Sequence, residues 1–459
     1  MIWVFGSSAV YAATLSVGPD QPYATLAAAV SASSPGDVID VHSGHYLNDT
    51  VALPHGDLVI RGVGPTRPVF QVTEPVSNRK GIIAIPVGAG PVTIEGLHLE
   101  GAFISDADGA NGAGIRMQGS GLTVRDCVFT DNQMGLLAGG TDGFFVDVEG
   151  SEFDSNGRDG SGYEHNVYIG TDQCASFRFV GNYSHHARTG HNLKSRCQSN
   201  VILYNRIMDE DSGTSSYIID IPEGGHTVIV GNLLQQGPMA ENSSAIVSYG
   251  AEGTNDDMTL LVAHNTIVND KPTDATFHVR ASRAAHVELW NNLFIGRGTP
   301  LQVADIDADV SDQGSLQLED AAVLTDRAGF DYRLISGSAP HDAGALIESS
   351  WTEALVPTRQ YVHPLSTEHR WDDGLPDVGA YGLGMPPTDT GTDEPGAEDD
   401  TGPTEREPDP TDTAAEVDDE APGSETKGCT CASTRARAPW IGLGFLAAAV
   451  ALRRRSRPL

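Results

Sequence analysis

The sequence has only four lysines in 459 residues and a formal charge of −34 at pH 7. No basic stripe is visible, which excludes the phosphate-neutralising surface that a nucleic-acid binder needs. Aromatic residues make up 7% of the chain, and no apolar run reaches the ~20 residues of a spanning helix. There is no Walker loop, dinucleotide fingerprint or Gly-x-Ser-x-Gly elbow, so nucleotide and serine-hydrolase chemistry are unsupported. What is abundant is glycine, 52 residues of it. That abundance predicts many short strands and turns rather than helical bundles.

The acidity is uneven. Residues 385–428 hold 15 acids and two bases, while the tail from Cys429 holds six arginines and no acids. The remaining body still carries about −27, a field that repels a polyanionic glycan unless a cation or a local basic groove intervenes. The Pro/Thr/Asp/Glu-rich stretch 385–428 cannot bury a core and reads as a disordered, charge-extended linker. At the N-terminus, residues 1–13, "MIWVFGSSAVYAA", have an apolar run and small residues at Ala12 and Ala13 but no Lys or Arg. They read as a signal-peptide-like segment. Residues 429–459 contain "GCTCAS", a 15-residue apolar run Ala438–Leu452 that predicts a short hydrophobic helix, and "RRRSRP". The basic stop fits the positive-inside rule. In that order the three parts resemble the C-terminal sorting tail of myxobacterial surface proteins, which implies sorting machinery as a partner and a membrane-anchored, cell-surface location. A single-span anchor is the simpler alternative, and both place the body outside the cytoplasm.

Between the ends a phrase recurs: "VGNYS", "LYNRI", "VGNLL", "AHNTI" and "WNNLF", sharing Asn182, Asn205, Asn232, Asn265 and Asn292. Leu97, Cys127 and Ser151 occupy the same frame upstream, and a second β-like run follows each phrase. Short strands at a period of ~25–30 residues describe coils of a parallel β-solenoid. Stacked at ~4.8 Å, the asparagines would hydrogen-bond along the axis as a structural ladder. "YATLAAAVSAS" has helical spacing and would cap the first coil. Cys174 and Cys197, 23 residues apart, could meet between neighbouring coils as a disulfide, which an exported protein permits. Cys127 reads as a buried small hydrophobe; Cys429 and Cys431 read as a processing or lipidation signal.

The pattern, with "PGDVIDVHSGHY" at its start and "FDYRLISGSAPHDAG" and "DVGAYG" at its close, resembles the right-handed parallel β-helix, or pectin-lyase-like, superfamily over about residues 15–384. The expected fold is therefore all-β, one right-handed parallel β-helix over 14–384. The resemblance implies an extracellular polysaccharide as partner and a monomer, but no single reaction, since lyases, hydrolases and adhesins share the fold.

If Val167, Ile169, Leu193, Ser195, Ile219 and Ile221 point inward, strand alternation turns Asn166, Tyr168, Asn192, Lys194, Arg196, Ile218 and Asp220 outward. Stacking then sets Tyr168 beside Lys194 beside Asp220, with Arg196 at the strand end. For uronate lyases of this fold the resemblance implies Lys, Arg or Tyr as base and acid. Lys194 is then the base or charge neutraliser, Arg196 the partner of the substrate carboxylate, and Tyr168 the proton donor, with Asp220 alongside. Asn166, Asn192, His165 and His191 would contact substrate. Asp220, Glu210 and Asp211 could hold Ca²⁺, and Asp106 with Asp108 form a second, weaker acidic pair. The histidines His165, His191, His185, His186 and His226 could ligate a metal, although equal spacing in a repeat favours equivalent structural roles. Two other readings stay open. A glycoside hydrolase would pair Asp220 with Glu210 or Asp211; a non-catalytic adhesin would use the same face for binding. The plainest alternative for Lys194 and Asp220 is a cross-coil salt bridge worth ~0–1 kcal/mol.

Overall fold

The computed structural model describes residues 12–385, except 159–161, 254, 272–275 and 320–321. Most of the signal-like segment, nearly all of the acidic linker and the whole Cys/apolar/Arg tail lie outside the described residues. Among the described residues no helix is long and apolar enough to cross a membrane.

Each coil contributes one strand to each of three parallel sheets, of 12, 11 and 10 strands, here the first, second and third sheets in chain order. This is a parallel β-helix. The reason is visible in one inward column of the first sheet. Ile39, Ile60, Ile94, Val124, Val148, Phe179, Ile202, Ile229, Val262 and Leu289 stand successively in register, all buried. A one-residue slip would turn the whole column outward, so burial fixes the register. The column ends on Asp312, in a strand that is half exposed to exposed, Asp309–Gln313, where the aliphatic core runs out.

At the N-terminal end the helix Leu26–Ala32 buries Leu26, Ala29 and Val30. Thr25 caps it by accepting from the Ala28 N–H, and Asp49 accepts from the N–H groups of Leu26 and Ala27. These bonds satisfy donors that a helix start leaves orphaned.

Asparagines line the corner between the first and second sheets. Each side-chain Oδ1 of Asn205, Asn232, Asn265 and Asn292 accepts from both the backbone N–H and the Nδ2 of the preceding member, at 2.8–3.2 Å. Ser151 opens the run by donating its N–H to Asn182. At the corner between the third and first sheets, Cys174 and Cys197 are joined as a disulfide. Cys127 is free and fully buried, and burial pushes its thiol up to about 12.

After the last coil the chain folds back. Its hairpin strands Leu324–Asp326 and Asp331–Leu334, then Arg359–Val362 and Ser366–His369, are antiparallel. Leu324, Tyr332, Leu334, Tyr361, Val378 and Ala380 pack on Met208, Leu233, Val268, Leu293 and Ile295 of the second sheet. Leu355 packs on Val228, Val230, Leu261 and Ala263 of the first.

Candidate functional site

Along the middle of the third sheet one outward column reads Ala84, Arg116, Leu137, Tyr168, Lys194, Asp220, Ser248, Arg280 and Gln302. The strands Val167–Ile169, Leu193–Ser195 and Ile219–Ile221 thus set Tyr168, Lys194 and Asp220 on adjacent rungs. The inward neighbours Val167, Ile169, Leu193, Ile219 and Ile221 lock that orientation.

Lys194 Nζ lies 3.0 Å from Asp220 Oδ2, 3.5 Å from His191 Nε2 and 5.6 Å from the centre of the Tyr168 ring. The Asp220 side chain is only 6% exposed. Burial raises its carboxyl pKa, and the Lys194 charge and hydrogen bond only partly oppose that. This pair is therefore no surface salt bridge: without Lys194 the carboxylate would be left buried and uncompensated.

His191 stacks on His165 at 4.7 Å. The Nδ1 of His165 accepts the His191 N–H at 2.9 Å, and the Nδ1 of His191 accepts the Tyr217 N–H at 3.3 Å. Both neutral rings consequently carry their proton on Nε2. Burial first, then the Lys194 charge, lowers His191 to about 3. Burial with His191, Lys194 and Arg196 nearby lowers His165 as well. The two rings are neutral and buried beside Lys194.

Arg196 is fully engaged. Its Nε donates to Tyr168 Oη at 3.1 Å, Nη1 donates to Glu223, and Nη1 and Nη2 donate to the two oxygens of Glu252 at 2.6 and 3.1 Å. Burial works to lower the guanidinium pKa, but the Glu252 and Tyr168 contacts outweigh it and the net shift is upward. The adjacent Cys197 is tied to Cys174, which fixes the backbone from which Arg196 reaches back to the phenol.

No family model matches the chain, and no curated protein matches it. Among solved structures the chain is similar to "pectate lyase Pel9A", at 15% identity and a TM-score of 0.49, covering 82% of this chain and 97% of that one. It is also similar to "PL6 family alginate lyase AlyGC", at 13% identity and a TM-score of 0.34, covering 69% of this chain and 40% of that one. The β-helix stands on the strand pairing itself.

Several expectations need correction. Asn166 and Asn192 do not face solvent; both are fully buried. They belong to a second ladder at the corner between the second and third sheets, in which Nδ2 of Asn132, Asn156, Asn166 and Asn192 donates in turn to Asn156, Asn166, Asn192 and Asp209 at 2.9–3.1 Å. Ile218, at the equivalent position, is also in the core. All three residues precede their strands by one, where the chain bends and sends consecutive side chains to the same side. His165 and His191 are likewise buried and not exposed contacts. Glu210 and Asp211 do not join Asp220. Glu210 follows the second-sheet strand Arg206–Met208 and bonds Tyr183, Arg206 and His186, while Asp211 is exposed. The calcium set and the hydrolase pair built on these residues are not assembled. Asp108 meets Ser105 and Arg79 in an exposed 3₁₀ turn. Finally, Arg196 is too saturated to receive a substrate carboxylate.

Four residues were missed. Glu223 and Glu252 lie in loops after their strands, where period-2 reasoning has no purchase. Arg116 and Arg280 were legible, since "GAGIRM" and "FHVRA" place them in the Lys194 frame, three rungs away on either side. Neither has a carboxylate partner among the described residues: Arg280 bonds Ser244 and Tyr217, and Arg116 leaves its buried Nε without a partner.

Proposed function

We propose that this protein binds an extracellular uronate polysaccharide along the third sheet and cleaves it by β-elimination. One observation carries the reading: on a chain of −34, the outward column holds Arg116, Lys194 and Arg280 three rungs apart, about 14 Å at ~4.8 Å per rung. A regular file of cations on an acidic body fits an extended polyanion running parallel to the solenoid axis.

In the reaction, Lys194 neutralises the uronate carboxylate, so that the α-proton can leave. Tyr168, whose oxygen accepts the Arg196 Nε–H, is the group that carries that proton from C5 to O4. The C4–O4 bond breaks as the C4=C5 double bond forms, and the phenol returns the proton to O4. Arg196 acts as a positioning residue. The engagement of Lys194 with Asp220, and of Arg196 with two glutamates, favours one second reading, retention of the glycan without cleavage. The reading includes export and surface anchoring through the C-terminal segment. The Cys174–Cys197 disulfide supports it, being at home in oxidising compartments.

The test is ultraviolet absorbance of unsaturated uronate product from a panel of uronate polymers, using the full chain with and without calcium. A rise that is absent with Lys194→Met supports elimination. A flat trace with polymer still retained selects the binding reading, and no retention of any polymer overturns both.

A further inference from the structure

We infer that Asp154, His185 and His186, on the second sheet, bind one borderline divalent transition-metal ion, with zinc as its representative. The site is separate from the third-sheet column and independent of the glycan reading.

The donor atoms converge. His185 Nδ1 and His186 Nδ1 are 2.7 Å apart, His186 Nδ1 is 3.1 Å from Asp154 Oδ1, and His185 Nδ1 is 3.4 Å from the same oxygen. Ligands at ~2.0–2.1 Å from a metal, subtending ~90–110°, stand ~2.8–3.4 Å from one another. Two edges of the triangle fall in that range and the third, 2.7 Å, lies just below it, so a small opening of the histidine pair makes three ligands on one face of an ion.

The outer nitrogens are held by carboxylates. His185 Nε2 lies 3.1 Å from Glu152 Oε1 and His186 Nε2 lies 3.4 Å from Glu210 Oε2. A carboxylate only accepts, so each Nε2 carries a proton. Both Nδ1 atoms face each other and the Asp154 oxygen, where in the metal-free chain a proton on His186 Nδ1 bridges to the carboxylate. A metal ion would take the place of that proton, with the same three atoms as its ligands. Carboxylates holding the outer N–H of ligating histidines are also the usual support of a metal site.

The charge and the setting agree. Glu152, Asp154 and Glu210 bring three negative charges, and Arg206, 3.0 Å from Glu210, brings one positive. The deficit is two, as a divalent ion requires. The Tyr183 ring stacks on His185 at 3.8 Å and Arg206 lies 5.1 Å over that ring, which holds the imidazole in place. The Asp154 and His186 side chains are 32% and 24% exposed, leaving an entry path. Two nitrogens in the donor set select a borderline transition metal over Ca²⁺, which takes 6–8 oxygens.

The experiment is calorimetric titration of ZnCl₂ into the untagged, chelator-stripped full chain. It is run beside His186→Ala, Asp154→Asn and Glu152→Gln, each checked for native circular dichroism. The expected result is one zinc per chain, weakened at least tenfold in the first two variants. In Glu152→Gln, which acts only through His185, affinity falls roughly 10–100-fold. CaCl₂ in excess leaves the isotherm unchanged. Co²⁺ substitution gives a second readout, visible d–d bands that His186→Ala shifts. No zinc uptake by the native chain, equal affinity in the folded variants, or displacement by calcium would each overturn the site.

Discussion

The same three coils present two polar faces of different make-up. Their second-sheet strands Glu152–Asp154, Tyr183–His185 and Arg206–Met208 carry a carboxylate-rich cluster around two histidines. Their third-sheet strands carry Tyr168, Lys194 and Asp220, in a column where Arg116 and Arg280 add two cations with no carboxylate partner among the described residues. In a solenoid the charge of a face is set by which strand of the coil a residue stands on. A chain of −34 can therefore keep a cationic column within one coil's width of a cation-seeking cluster.

The sharpest way to break this contrast is Lys194→Met, which leaves Asp220 buried and unpaired. It should cost about 3–5 kcal/mol in denaturant titration and abolish elimination. Lys194→Met with Asp220→Leu should recover most of that stability and none of the activity, separating the two roles.

A pH scan gives the next largest effect. His191 is held neutral in the fold down to about 3 by burial and the Lys194 charge, whereas an unfolded imidazole titrates near ~6.5. Below that value the unfolded chain binds more protons. Stability is therefore complete above pH ~6.5 and is lost as the pH falls towards 3. For His191 alone the loss between pH 7 and 4.5 is on the order of 2–3 kcal/mol, with His165 acting in the same direction. His191→Gln should flatten the thermal-denaturation profile over that range.

Asn192→Ala tests the wall between the faces, since it leaves its Asn166 and Asp209 partners short of a bond. We expect about 1–3 kcal/mol of lost stability with glycan retention unchanged; weakened retention in a folded variant would return Asn192 to the binding surface. The smallest effect is expected of Arg116→Gln and Arg280→Gln. Each should weaken retention of a uronate polymer roughly tenfold, ~1.4 kcal/mol, and reduce its salt sensitivity, with the fold intact.

Much of this was legible in the sequence because a solenoid repeats its register. The recurring asparagine phrase marked the first corner, and strand alternation set Lys194 between Tyr168 and Asp220. Alternation fails at corners, which is why Asn166, Asn192 and Ile218 face the core. It says nothing of loops, which is why Glu223 and Glu252 went unseen and Arg196 looked free. The cluster of Asp154, His185 and His186 has another cause. His186 sits just past its strand in a left-handed conformation, φ 50°, which turns its ring back towards His185, and no periodic rule anticipates that.

The central claim is that the third-sheet column performs chemistry on a uronate chain. Tyr168→Phe tests it most directly, because it removes one oxygen and leaves Lys194, Arg116 and Arg280 in place. Unsaturated-product absorbance and polymer retention would be followed together for the native chain and the variant. The account predicts a rise for the native chain alone, with retention equal in both. An equal rise in both proteins would contradict it.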